Sequence, residues 1–188
     1  MPSLPCPLDT NQKLQRAREL VMRYGWNVVS YQILNPGIDL WFSSRHDAVV
    51  GYMTRNQVRV VAGAPVCDES HLAAVIEEWE SEATAAGETV CYFAAAGRLH
   101  ELLKRKDGYS TVILGSQPVW HPAEWGQIFA ARSTLRAQLS RSRNKGVTVN
   151  EWPVERARNN PQLKLILAQW LRSRGLPSLH FLVEPRTL

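Results

Sequence analysis

The chain has 188 residues, 45% of them hydrophobic and 21% charged, with a formal net charge of +5. That is room for one domain, or one and a piece of a second, around a proper core, with the composition of an ordinary globular protein. No apolar run approaches the roughly 20 residues that cross a bilayer, and the opening MPSLPCPLDT lacks the basic and apolar regions of a secretory signal, so a cytoplasmic location is expected.

After the Pro-rich lead, Asp9 or Thr10 can cap a helix to about Tyr24, with Leu14, Ala17, Val21 and Met22 at helical spacing and Gly25 as its stop. Asp39–Phe42, Ala48–Thr54 and Gln57–Ala62 read as successive strands of an antiparallel meander, the last two joined by a turn at Arg55-Asn56. The loop GAPVCDESH after the third strand could turn backbone N–H groups toward a ligand. Pro65 and a capping Asp68 or Ser70 fit a plain turn better.

Between Arg59 and Arg98 the charge is acidic only, and most of that stretch predicts a helix over Glu69–Ala86. Leu72, Val75, Ile76 and Trp79 form its inward stripe, and its acids read as a solvated outer face. Glu88–Ala95 reads as a buried strand, with Cys91 as a small buried hydrophobe. A helix over Arg98–Arg105, a strand over Gly108–Leu114, a helix running from Glu124 or Ser133 to Lys145, a strand over Val147–Trp152, a helix over Pro161–Arg174 and a strand over His180–Glu184 complete the order. This succession predicts an α/β (α+β) layered domain with a mixed sheet.

Cys6, Cys67 and Cys91 are far apart and in no CxxC arrangement, which argues against a disulfide framework and a zinc site. The five histidines are dispersed, and the Walker A, GxGxxG, HExxH and GxSxG patterns are absent. Ser43, Ser44, His46 and Asp47 supply the residue types of a catalytic triad, but neighbours on a strand point to opposite faces. Spacing alone names no catalytic base.

The concentrated signal is STLRAQLSRSRNKG, Ser133–Gly146. From Trp125 to Asn150 there is no Asp or Glu, while Arg132, Arg136, Arg141, Arg143 and Lys145 would account for the whole net charge. Helical spacing puts Arg132, Arg136 and Arg143 on one face, Arg141 and Lys145 on an adjoining one, and Leu135 and Leu139 toward the core. Four of the five are Arg, whose planar fork binds phosphate oxygens in bidentate fashion. The candidate partners are nucleic acid and an anionic lipid headgroup. Against them stands a solvated basic face near a helix C-terminus. Trp120 and Trp125 could stack on bases but read more readily as core.

Three pieces in order, VVAGAPV at Val60–Val66, Gly108-Tyr109 with Ile113–Gly115, and LRAQLSRSRNKGV at Leu135–Val147, resemble the C-terminal cytosolic domain of bacterial phosphatidylglycerol lysyltransferases, a DUF2156-type family. The run WLRSRGLPSLHFLVE, Trp170–Glu184, is similar to that family's connection into its second half. Ala64 stands where the family usually has an acid before the proline of its turn.

The resemblance implies tandem acetyltransferase-like (GNAT-like) lobes, each a mixed, mostly antiparallel sheet flanked by helices. It implies transfer of an aminoacyl group from a charged tRNA to a lipid hydroxyl. Residues 1–152 are then a first lobe, and 153–188 a helix and strand leading toward a second lobe that this sequence lacks, where the transfer residues are mainly expected.

Aminoacyl-tRNA is the implied donor, with no metal or redox cofactor, and the missing glycine-rich pyrophosphate loop argues against acetyl-CoA. The implied partners are tRNA, anionic phospholipid, and a second lobe or another copy of the chain, at the inner face of the membrane. The rival expectation is a non-enzymatic module that binds nucleic acid or an anionic membrane.

Overall fold

The computed structural model describes residues 9–45, 47–116 and 119–173. They fall into two compact units, one ending at Thr111 and one spanning Val112–Ser173.

The first unit begins with α1 (Thr10–Tyr24), started by a capping box in which Asp9 accepts from the Gln12 N–H and the Gln12 side chain accepts from the Asp9 N–H. Ala17, Leu20 and Val21 are buried, whereas Leu14 and Met22 are 46% and 67% exposed. The inward face is therefore rotated from the stripe that spacing suggests. A second helix, α2 (Val28–Gln32), was not expected from sequence. Asn27 caps it by accepting from Ser30, and five residues are too few to show a period.

Strands β1 (Asp39–Phe42), β2 (Val49–Arg55) and β3 (Val58–Ala62) form the expected antiparallel meander. Next come a 3₁₀ turn at Glu69–His71 and α3 (Leu72–Ala85), then β4 (Thr89–Phe93), which returns parallel to β3. Helix α4 (Gly97–Leu103) follows. The sheet order is β1-β2-β3-β4, a mixed and mostly antiparallel sheet flanked by helices, as expected.

Alternation along the strands sends Val49 and Ala62 to the core with α1 and Ile33, and Val50 and Val61 to the core with Trp79 of α3. Trp79 is fully buried and meets Tyr52 edge-on at 4.7 Å. Close backbone approach fixes α2 against the sheet. A Cβ on Gly51 would lie 2.4 Å from Ile33 Cβ, and one on Gly63 (φ +78°) 2.9 Å from Val29 Cγ1.

Two expectations for this unit need correction. Among the described residues β4 is the last strand of the sheet and is half-buried on one side only. Val90 and Tyr92 turn toward α3, while Cys91 and Phe93 are exposed. The acids of α3 are also not a purely solvated face. Glu82 accepts from Trp41 Nε1 at 2.6 Å and from buried Arg59 at 3.2 Å, Glu78 from the Ser44 N–H at 2.7 Å, and Glu80 from the Tyr92 and Tyr109 hydroxyls. Their partners come from distant parts of the chain, which is why local spacing could not show them.

The second unit contains a 3₁₀ turn at Pro122–Glu124, then α5 (Trp125–Ala131), α6 (Ser133–Asn144), α7 (Val154–Ala157) and α8 (Pro161–Ser173), the last capped by Asn160. The strands expected over Gly108–Leu114 and Val147–Trp152 do not form: both stretches lie outside helices and strands, and no strand among the described residues pairs with them. Val112, Ile113 and Leu114 are 67–89% exposed and Val149 is 95% exposed. A β-prone run without a partner strand has nothing to hydrogen-bond. The strand expected at His180–Glu184 lies outside the described residues.

Candidate phosphate-binding site

The basic segment is two helices rather than one. At Arg132 the backbone is extended (φ −112°, ψ 97°), which ends α5 and leaves the Arg132 carbonyl to accept from the Arg136 N–H as α6 begins. Arg132 is thus not on a continuous helical face with Arg136 and Arg143, as spacing had placed it. It lies at the elbow, lining a cavity of about 440 Å³ with Trp120, Trp125, Ile128, Leu135 and Gln138. Trp120 and Trp125 are 57% and 49% exposed, so the core reading of both is overturned.

All five basic side chains are exposed, and none forms an ion pair among the described residues. Their roles differ. Arg136 turns back across the elbow and donates from Nη1 to the Phe129 carbonyl at 3.0 Å and to the Ala130 carbonyl. That caps the C-terminal end of α5, where unsatisfied carbonyls attract a cation. Arg136 therefore staples the two helices together.

Arg141 and Arg143 lie in the last turn of α6 and Lys145 is its C-cap. Gly146 (φ +75°) and Val147 close the end by donating to Arg143 and Ser142 carbonyls. The sequence spacing brought the five residues to one segment; the elbow, the cavity and the Arg136 staple depend on tertiary geometry. Val112–Ser173 carries nine Lys and Arg against three Asp and Glu, so the positive field belongs to this unit as a whole.

Chemically the site offers exposed guanidinium and ammonium donors along α6, and at the elbow the Arg132 guanidinium beside a cavity of mixed lining, with Thr134 and Gln138 next to the two indoles. The donors suit phosphate oxygens; the indole and aliphatic walls suit a flat or oily group attached to them.

Other arrangements are less productive. The Ser43 hydroxyl is buried and donates to Asp47 at 2.8 Å, and the other Asp47 oxygen lies 3.8 Å from His71 Nδ1. His46, the histidine of the expected triad, lies outside the described residues, and a serine that donates to the acid rather than to a histidine is not an activated nucleophile. The GAPVCDESH loop is a packed turn: Ala64, Pro65, Val66 and Cys67 are buried, and Asp68 caps the following turn by accepting from Ser70. Burial pushes the Cys67 thiol up to about 11, with Arg98 nearby pulling the other way. No group of three or more potential metal ligands occurs among the described residues, and no helix there is long and apolar enough to cross a membrane.

The sequence profile of the family described as Phosphatidylglycerol lysyltransferase, C-terminal, matches residues 18–185. The chain belongs to this family.

No curated protein matches it at a significant level. Among solved structures it is similar to the C-terminal domain (DUF2156) of a protein described as a lysylphosphatidylglycerol synthetase from Agrobacterium fabrum. The TM-score is 0.44 at 19% identity, over 50% of this chain and 29% of that one. It is also similar to L-PGS from Bacillus licheniformis, with a TM-score of 0.43 at 21% identity, over 55% of this chain and 30% of that one. The chain covers less than a third of the length of either.

Proposed function

We propose that this chain is a substrate-holding lobe of an aminoacyl-tRNA-dependent aminoacyltransferase, in which α5 and α6 bind a phosphate-bearing substrate, a tRNA or a lipid headgroup. The observation that carries this reading is the acid-free segment Trp125–Asn150, in which Arg132, Arg141, Arg143 and Lys145 are exposed and Arg132 lines a Trp-walled cavity. Membership of a family described as a phosphatidylglycerol lysyltransferase domain supports the reaction class.

In such a transfer a lipid hydroxyl attacks the aminoacyl ester carbon, the tRNA hydroxyl leaves, and one proton passes from the attacking to the departing oxygen. The basic residues of this chain act on binding. They neutralise phosphates, with Arg132 doing so at the mouth of the Trp-lined cavity. The proton transfer belongs to a second lobe. The exposed apolar segments Val112–Leu114 and Val147–Val149 support that complement, because strand-prone edges of this kind gain from a neighbour.

The test is transfer of labelled lysine from lysyl-tRNA to phosphatidylglycerol vesicles, with retention on each substrate recorded separately. Salt-sensitive retention on tRNA or on a soluble phosphatidylglycerol headgroup analogue that is lost in Arg141→Ala/Arg143→Ala/Lys145→Ala supports the reading, whereas labelled lipid formed by this chain alone would show that one lobe suffices and contradict it. No product and no retention on either rejects it.

A further inference from the structure

We propose that the corner formed by α1 and α2 on the first unit is an interfacial docking surface for an anionic lipid bilayer, separate from the phosphate site on α6. Met22, Val28 and Tyr31 are 67%, 59% and 54% exposed. They belong to one patch: the Tyr31 hydroxyl donates to Met22 Sδ at 2.8 Å, and Val28 lies one turn before Tyr31 on α2. Leu14, 46% exposed, and Arg18 precede Met22 at four-residue steps and so extend the same flank along α1.

The outward aim of these side chains is imposed from behind. Ala17, Leu20 and Val21 hold α1 to the core, while Val29 packs where Gly63 lacks a side chain and Ile33 where Gly51 does. Rotating α2 to hide Tyr31 would expose Ile33. Single exposed apolar residues are ordinary; a contiguous group locked outward marks an interaction surface.

Charge selects the bilayer as the occupant. From Leu20 to Ile38 the only charged residue is Arg23, and α1 adds Lys13, Arg16 and Arg18 against Glu19, which is ion-paired to Arg16 at 3.0 Å. Exposed Arg18 and Arg23 flank the apolar group. Arginine stems lie along an apolar surface while the heads reach phosphates, and Tyr favours the headgroup level. A helix with basic residues beside Leu, Met and Tyr fits the plane of an anionic interface.

The experiment is co-sedimentation with vesicles of phosphatidylglycerol and phosphatidylcholine at 30:70, or of phosphatidylcholine alone. It uses the full chain carrying Arg132→Ala/Arg141→Ala/Arg143→Ala/Lys145→Ala, which removes the four free cations of the phosphate site and leaves only Arg136, whose guanidinium is bonded to the Phe129 and Ala130 carbonyls. On that background Met22→Asp/Tyr31→Asp is expected to lower partitioning about tenfold or more, as expected for losing buried apolar contacts. Arg18→Ala/Arg23→Ala is expected to lower it about tenfold on the anionic vesicles and to leave phosphatidylcholine unchanged.

Unaltered far-ultraviolet circular dichroism and melting confirm that each variant is folded. All four side chains are exposed, and the milder Met22→Gln/Tyr31→Ser serves if the aspartates unfold the unit. Folded corner variants that bind like their parent overturn the proposal. So does a parent that fails to bind anionic vesicles, or a corner variant whose only change is loss of self-association, which would make the patch a protein interface. Because the free cations of the phosphate site are absent throughout, failure here leaves that site standing, and the converse holds.

Discussion

Arg59→Leu tests the interior of the first unit. The Arg59 side chain is 8% exposed, with its guanidinium 4.6 Å from the Trp79 ring centre and bonded to Glu88 at 2.5 Å and Glu82 at 3.2 Å. Burial opposes its charge, yet the bonds to Glu88 and Glu82 outweigh that and hold its pKa above the usual value.

Removing one partner of a fully buried pair costs about 3–5 kcal/mol, mostly from the charge left behind. Glu88 is 21% and Glu82 53% exposed, so water recovers part of this, and the expected loss is about 2–3 kcal/mol. For a unit of this size that lowers the melting temperature by roughly 8–15 °C.

The assay is thermal and urea unfolding of Arg59→Leu, Glu88→Gln and the double variant. The double variant should recover about half of the single-variant loss, because it removes the stranded carboxylate along with its partner. A loss below about 0.5 kcal/mol for Arg59→Leu would show that the pairs are screened surface contacts and refute the reasoning.

Gly51→Ala should destabilise by about 1–3 kcal/mol in urea melts, since the new methyl would meet Ile33 at 2.4 Å. In a Cys6→Ser variant at pH 8, a thiol reagent should modify exposed Cys91 quickly and Cys67 only on unfolding, because burial holds the Cys67 thiol neutral up to about 11. The same raised value means that the native state resists ionising Cys67 where the unfolded chain does not. Stability is therefore unaffected below about pH 9 and falls as pH rises toward 11; comparing pH melts with Cys67→Ala checks the sign. Arg136→Ala should loosen the α5–α6 elbow, seen as faster amide exchange at Phe129–Arg136, since the carbonyls of Phe129 and Ala130 lose their side-chain donor.

The periodic elements were legible in the sequence: α1, the three-strand meander, α3 and α8 all follow from spacing and caps. The inward turn of α1 was less so, because Leu14 and Met22 have the right chemistry and nearly the right spacing for a core that α2 and the sheet leave no room for. β-prone runs at Val112–Leu114 and Val147–Val149 misled because strand propensity takes effect only against a partner strand. At the candidate site the charge was fully readable. The break at Arg132 was not, since it is set by the local turn and by the Arg136 staple, and neither has a one-dimensional signature. The acids of α3 show the same limit: Glu80 and Glu82 find partners far along the chain, so composition alone made them look like solvent-facing charge.

The most direct test of the central claim is the retention of lysyl-tRNA and, separately, of phosphatidylglycerol headgroup analogues on this chain as salt is raised, for the parent and for Arg132→Ala/Arg141→Ala/Arg143→Ala/Lys145→Ala. Four exposed cations predict a slope of log affinity against log salt on the order of −3 for the nucleic acid, collapsing toward zero in the variant. Affinity that persists in the folded variant with an unchanged slope would place the phosphate contacts elsewhere and contradict the account.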